Sequence, residues 1–189
     1  LLGQNVNAFN YKGKRLADLI NEISQIKKIE RIRYTTSHPI DFTKDLIEIH
    51  KVSKKLMPLI HLPVQSGSDK ILAKMNRKHS VKFYLNLIEE LKKANSGIKF
   101  SSDFIIGYPG ETDDDFNKTI RLLKEVEFIN CFSFIYSARP GTPAARLKNI
   151  NDTVAKKRLI EFQKVAYEIK MKYRRSLFGK KTQVLFENK

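Results

Sequence analysis

Cysteine is almost missing: Cys131 is the only one in 189 residues. A single thiol excludes a disulfide framework and any cysteine-rich metal site built by this chain alone. It also points to a reducing, cytoplasmic setting. The four histidines, His38, His50, His61 and His79, are scattered and show no metal-ligand spacing. No run approaches the roughly 18 consecutive apolar residues of a membrane span, and no charged-then-apolar leader precedes the rest, so a soluble chain with no membrane partner is expected. Phosphate loops, zinc motifs and nucleophile elbows are absent, as are repeats and low-complexity linkers. Acidic residues are in deficit, 20 against 36 basic ones, which leaves a formal net charge of +16.

That excess favours a polyanion such as RNA, although a chain rich in Lys, Ile and Asn also becomes basic through coding bias. The distribution favours function. Residues 152–189 hold eleven basic residues against four acidic ones, a net of seven positive charges. Apolar residues make up 41% of the chain and fall in short clusters, which excludes disorder and supplies a core. The sequence begins at Leu1 without an initiator Met and ends just after Val184, Leu185 and Phe186, a strand-like run, so a piece of a longer protein is expected.

Apolar β-type runs alternate with stretches of helical period, the pattern of parallel strands joined by crossover helices. Strands are expected at 1–6, 30–37, 59–65, 99–108 and 131–137. Helical patterns follow Gly13 (Leu16, Leu19, Ile20, Ile23), Asp45 (Leu46, Ile47, Ile49) and Ser80 (Tyr84, Leu85, Leu87, Ile88, Leu91). Another opens at Thr112, a cap followed by Asp113, Asp114 and Asp115 at the positive end of the helix dipole. A long last helix over 152–177 carries Leu159, Phe162, Val165, Ala166, Ile169 and Tyr173 on one side and most of its basic residues on the other, and Gly179 ends it.

In parallel α/β arrays ligands bind beyond the carboxyl ends of the strands. There the first strand offers Gln4 and Asn5, amides that both donate and accept. The second ends in residues 34–39, with His38 read as structural rather than as a ligand. The third leaves its apolar run at Gln65, Ser66, Gly67 and Ser68, and a polar Gln there needs a partner. Arg77 follows, a guanidinium able to fork a carboxylate or phosphate or to sit in a surface ion pair. The fourth buries Asp103 in an apolar run, expensive unless partnered, which favours a site-facing position. Gly107, Pro109 and Gly110 turn into an acidic helix start that argues against bound phosphate. The fifth offers Tyr136, which could stack a base but by period alone reads more readily as core, and Arg139 before a Pro-Gly turn.

Taken together, residues 1–8 (LLGQNVNA), 34–39 (YTTSHP), 61–69 (HLPVQSGSD), 75–79 (MNRKH), 102–112 (SDFIIGYPGET) and 136–144 (YSARPGTPA) resemble the radical S-adenosylmethionine methylthiotransferases, in order and spacing along nearly the whole chain. GYPGET alone is shared by many radical enzymes; its combination with 1–8 and 34–39 is specific. The resemblance implies an incomplete (β/α) barrel over residues 1–178, from its second strand onward, and the start of a small β domain of the RNA-binding TRAM type over 179–189. It implies S-adenosylmethionine as cofactor and two 4Fe-4S clusters in the whole protein, with the cluster cysteines upstream of Leu1 and Cys131 a core residue.

By position, the resemblance places Gln4 and Asn5 at the methionyl amino group and Gln65, Ser66 and Ser68 at ribose and carboxylate. Arg77 would pair the carboxylate. Asp103, Ile105 and Gly107 would line ribose and adenine, with Tyr136 at the cofactor rim. Arg139, Lys170, Arg174 and Lys181 would meet tRNA. The implied reaction adds a methylthio group to carbon 2 of N6-dimethylallyladenosine at position 37 of tRNA, within the anticodon stem-loop. A monomer served by a flavodoxin or ferredoxin is implied, and this piece alone would be inactive. Two rivals stand beside it: a methylthiotransferase for threonylcarbamoyl-adenosine or a ribosomal protein, and a non-catalytic basic RNA-binding α/β module.

Overall fold

The computed structural model describes residues 1–35, 37–182 and 184. The strand expected over 181–186 lies mostly outside the described residues.

The sheet is built on β4 (Lys99–Ile106), whose alternation decides everything near it. Successive side chains of a strand point to opposite faces. Phe100, Ser102, Phe104 and Ile106 are therefore on one face, and Ser101, Asp103 and Ile105 on the other. β3 (Leu59–His61) and β5 (Asn130–Ile135) flank β4, both parallel to it, with His61 opposite Ser101 and Asp103 opposite Phe132. Parallel neighbours need crossovers. These are α4 (Val81–Ala94) and α5 (Asp113–Val126), and α6 (Asp152–Arg175) follows β5.

All three helices lie against the Phe100–Phe104 face and close one apolar core with Ile60, Leu62, Leu91, Leu123 and Phe128. Phe104 is fully buried between Phe128 and Phe162, its ring centroid 4.7 Å from that of Phe162. Removing such a ring costs about 3–5 kcal/mol. The opposite, concave face is not covered by any described helix, and Phe132 and Phe134 stand exposed on it.

A second core joins α1 (Leu16–Ser24) and α2 (Lys44–Val52) to Ile32, Tyr34 and Leu56. Within it the Tyr34 hydroxyl and His50 Nε2 are 2.6 Å apart. Burial pushes His50 down to about 4 and Tyr34 well above its ordinary range.

Several local expectations need correction. Residues 1–6 do not form a strand. Only Leu1 pairs in strand fashion, its N–H₃⁺ donating to Arg33 O and its carbonyl accepting from Thr35 N–H. Gly3, Gln4 and Asn5 are exposed, and a short 3₁₀ turn, Val6–Ala8, follows. The described residues of 30–37 contribute a single parallel bridge, Ile32 to Leu56, rather than a full strand. A hairpin of β1 (Asn10–Tyr11) and β2 (Lys14–Arg15) was missed. Its loop is Lys12-Gly13, both with positive φ, as the tight hairpin turn requires. Also missed was α3 (Asp69–Lys74), which buries only Ile71 and Leu72, too little to show a period. α6 stops at Arg175, two residues early, and Arg158, expected with the exposed basic side, is buried against Glu111.

Candidate functional site

At the carboxyl ends of β3, β4 and β5 lies a cavity of about 680 Å³. Gln65, Arg77, Asp103, Ile105, Tyr136 and Arg139 all line it, so six sequence-selected residues from four separate segments converge. Each is placed by a local device.

Gln65 continues β3 beyond its regular span. Its N–H donates to Asp103 O (2.9 Å), its carbonyl accepts from Ile105 N–H (3.0 Å), and its backbone adopts φ 75°. A left-handed conformation costs a residue with a Cβ of order 1 kcal/mol, and such outliers cluster where a side chain must be aimed. The Gln65 amide makes no hydrogen bond among the described residues although the residue is only 8% exposed.

Arg77 is set by the end of α3. Asn76 takes the left-handed conformation (φ 57°), and Arg77 N–H reaches back to Leu72 O at 2.9 Å. This is a Schellman cap with Asn in the position usually held by Gly. It fixes the backbone from which the half-buried guanidinium reaches the cavity. Burial lowers Arg77 from its ordinary value and Asp103 opposes that, yet no ion pair joins Arg77 to a carboxylate among the described residues.

Asp103 is not without a partner, as its position in an apolar run demanded. His61 Nε2 stands 3.3 Å from Asp103 Oδ2, and His61 Nδ1 stands 2.9 Å from Ser101 Oγ. Strand parity puts His61, Ser101 and Asp103 on the same concave face. His61, set aside by sequence as one of four scattered histidines, was missed in this role.

Tyr108, also missed, packs edge to face on Tyr136 with centroids 4.9 Å apart and donates to Lys74 O at 2.9 Å. The Tyr136 hydroxyl is buried and has no hydrogen-bond partner among the described residues. Arg139 is exposed, and its carbonyl is tied by Thr142 N–H and Oγ1 across the Pro-Gly turn.

Other selected residues are elsewhere. Ser66 and Ser68 are buried beneath α5: Ser68 Oγ donates to Asp115 Oδ1 (2.7 Å), and Ser66 Oγ accepts from Ser68 N–H and meets Thr119 Oγ1. Gly107 (φ 74°) lets α6 approach, since a Cβ there would come within 2.9 Å of Ala155 Cβ. Asn5 donates to Asp41 Oδ2 at 2.6 Å, and neither it nor Gln4 borders the cavity. Lys170 is half-buried and donates to Asn130 Oδ1 (3.0 Å), whereas Arg174 and Lys181 are exposed. Cys131 packs against the core from β5, and burial pushes its thiol up to about 12, unlike a metal-ligating thiolate.

A larger groove of about 910 Å³ runs between α4 and α5. Much of its charge is already paired within the protein, Lys118 with Asp114 (2.7 Å) and Lys70 with Asp115 (3.0 Å). The smaller cavity is the better site because the Arg77 guanidinium and the Gln65 amide that line it make no hydrogen bond among the described residues.

Parallel strands with helices on one face, and polar residues converging at the strand ends, define the class. Residues 2–123 match the radical SAM superfamily, and the chain belongs to it. More particularly, it is 54% identical over 193 residues to the tRNA-2-methylthio-N(6)-dimethylallyladenosine synthase of Pelagibacter ubique (strain HTCC1062), covering 100% of this chain and 43% of the relative. It is 50% identical to the synthase of the same name from Ehrlichia canis (strain Jake), covering 100% and 44%. The chain thus spans less than half the length of these relatives. Among solved structures it is similar to coproporphyrinogen III oxidase from Escherichia coli, a radical SAM enzyme (TM-score 0.63, 16% identity, 81% of this chain and 37% of that one). It is also similar to the radical S-adenosylmethionine methyltransferase TsrM from Kitasatospora setae (TM-score 0.55, 14% identity, 68% and 26%). Those two likenesses concern the fold alone. The fold class expected from the sequence, a partial α/β array with a parallel sheet, is the one found, with three parallel strands and no closed barrel among the described residues.

Proposed function

We propose that this chain forms the S-adenosylmethionine-binding part of a methylthiotransferase that modifies carbon 2 of N6-dimethylallyladenosine in the anticodon loop of tRNA. The observation that carries the reading is the convergence of an unpaired guanidinium, an unpaired amide and a carboxylate in one cavity at the strand ends. These are the groups a zwitterionic nucleoside ligand requires. Arg77 takes the ligand carboxylate, Asp103 accepts from ribose hydroxyls, and Gln65 donates and accepts between them. Ile105, Tyr108 and Tyr136 offer apolar surface to the adenine, with the buried Tyr136 hydroxyl as an orienting donor.

The iron–sulfur cluster, when bound, supplies one electron to the sulfonium. Its thiolate ligands come from outside this chain, because a single buried thiol cannot hold it. This chain's own residues bind the cofactor, exclude water and hold the ribose toward the open concave face. Arg139 at the cavity rim and the exposed Arg174 and Lys181 contribute tRNA phosphate contacts, with Lys170 weaker because it is already engaged. The setting is the cytoplasm, the form a monomer, and the electron source a flavodoxin or ferredoxin. No described helix is long and apolar enough to cross a membrane.

The test is nucleoside mass analysis. The complete native chain, reconstituted with iron and sulfide and given S-adenosylmethionine and a reductant, should convert dimethylallyladenosine tRNA to its 2-methylthio form. It should leave threonylcarbamoyl-adenosine tRNA and ribosomal protein unchanged. Conversion of either of the latter alone refutes the substrate assignment.

A further inference from the structure

Asp103 and Arg77 line one cavity and attract each other, yet they do not pair. A carboxylate free to swing in a half-buried site closes onto a nearby guanidinium, because the gain grows as the dielectric falls. Asp103 is held back by its neighbour across the sheet. His61 lies beside it on β3, opposite Ser101 in register, with Nε2 at 3.3 Å from Asp103 Oδ2 and Nδ1 at 2.9 Å from Ser101 Oγ. A carboxylate only accepts, so Nε2 carries the proton and Nδ1 is left to accept from the Ser101 hydroxyl. The ring is packed edge to face on Phe132 at 5.9 Å, which fixes its plane.

We propose that His61 is a positioning residue that latches Asp103 to the sheet, keeping both Asp103 and Arg77 free for a ligand. It touches neither ligand nor reacting atoms. It acts by preventing an internal ion pair that would cancel the cavity's two charges before anything binds. The proposal rests on the cavity reading given above.

The experiment titrates S-adenosylhomocysteine, which binds without reacting, into the complete native chain and its variants by calorimetry. His61→Ala should weaken binding about tenfold with the thermal midpoint nearly unchanged. His61→Gln, whose amide N–H donates from a position close to that of Nε2, should stay within about threefold of wild type. In an Asp103→Asn background, which is itself weakened, His61→Ala should add nothing, since there is no charge left to latch. If His61→Ala fails to fold, His61→Asn replaces it, because its shorter amide meets Ser101 but not Asp103. Wild-type affinity in His61→Ala, or an equal loss in both backgrounds, overturns the latch. Unchanged affinity in Asp103→Asn overturns the latch and the cavity reading together, whereas a loss there without one in His61→Ala overturns the latch alone.

Discussion

Gln65 and Ser66 are adjacent in the chain and do opposite things. Gln65 faces the cavity with an amide that makes no hydrogen bond among the described residues, while Ser66 Oγ, Gly67 N–H and Ser68 Oγ are spent beneath α5 on Thr119 and Asp115. The left-handed backbone at Gln65 breaks the strand alternation and carries the next three residues beneath α5, so one polar phrase divides into a ligand-facing residue and a structural knot. The difference teaches that polarity at a strand end marks a site only where the groups remain unspent. The same criterion separates the cavity from the larger groove, where Lys70 and Lys118 are already paired with Asp115 and Asp114.

If the division is right, changes in the knot alter stability and changes in the cavity alter affinity. The largest effect is expected at Gly67, where an added Cβ would meet Lys118 O and Thr119 Cα at 2.5 and 2.6 Å. Both are backbone atoms and cannot yield cheaply. Gly67→Ala should cost about 3 kcal/mol in urea unfolding. A loss below about 1 kcal/mol would show that α5 is loosely seated.

A somewhat smaller effect belongs to pH. Burial lowers His50 to about 4 in the folded chain, against about 6.5 when unfolded. Between those values the unfolded chain binds the extra proton, so stability is full above about pH 6.5 and falls as pH drops toward 4. The fall by pH 4 should be roughly 2.5–3 kcal/mol in unfolding free energy and should shrink in His50→Gln. A profile that is the same in both proteins would contradict the burial argument.

The smallest effect concerns tRNA. Changing exposed Arg174 and Lys181 to Gln should flatten the slope of log K against log[salt] by up to about 2 units, with each residue releasing one counterion. Adding Lys170→Gln should change little more, because its ammonium is held by Asn130. An unchanged slope would make the basic tail a solvated face.

The sheet and its helices were legible because β4 and β5 are long alternating runs and α4, α5 and α6 carry full apolar stripes. The Thr112–Asp115 capping box was legible too, since Thr112 Oγ1 accepts from Asp115 N–H as its spacing implies. Burial was not legible there. Asp115, grouped with its exposed neighbours by sequence, is buried. Burial alone would raise its pKa, but hydrogen bonds from Ser68, Thr112 and Lys70 hold it well below the usual carboxylate range. The ends of residues 1–6 were misread because apolar composition without a pairing edge does not make a strand. His61 escaped notice because its function depends on register with Ser101 and Asp103, 40 and 42 residues away, which no local pattern encodes.

The central claim is that the cavity's unspent charge is there for a nucleoside zwitterion. Calorimetric titration of S-adenosylhomocysteine into the complete native chain and its Arg77→Ala variant tests it most directly. The account predicts an affinity loss of roughly 1.5–3 kcal/mol, the scale of a charge-assisted hydrogen bond, with unfolding stability unchanged. Equal affinity in the two proteins, or a loss matched by unfolding, would contradict it.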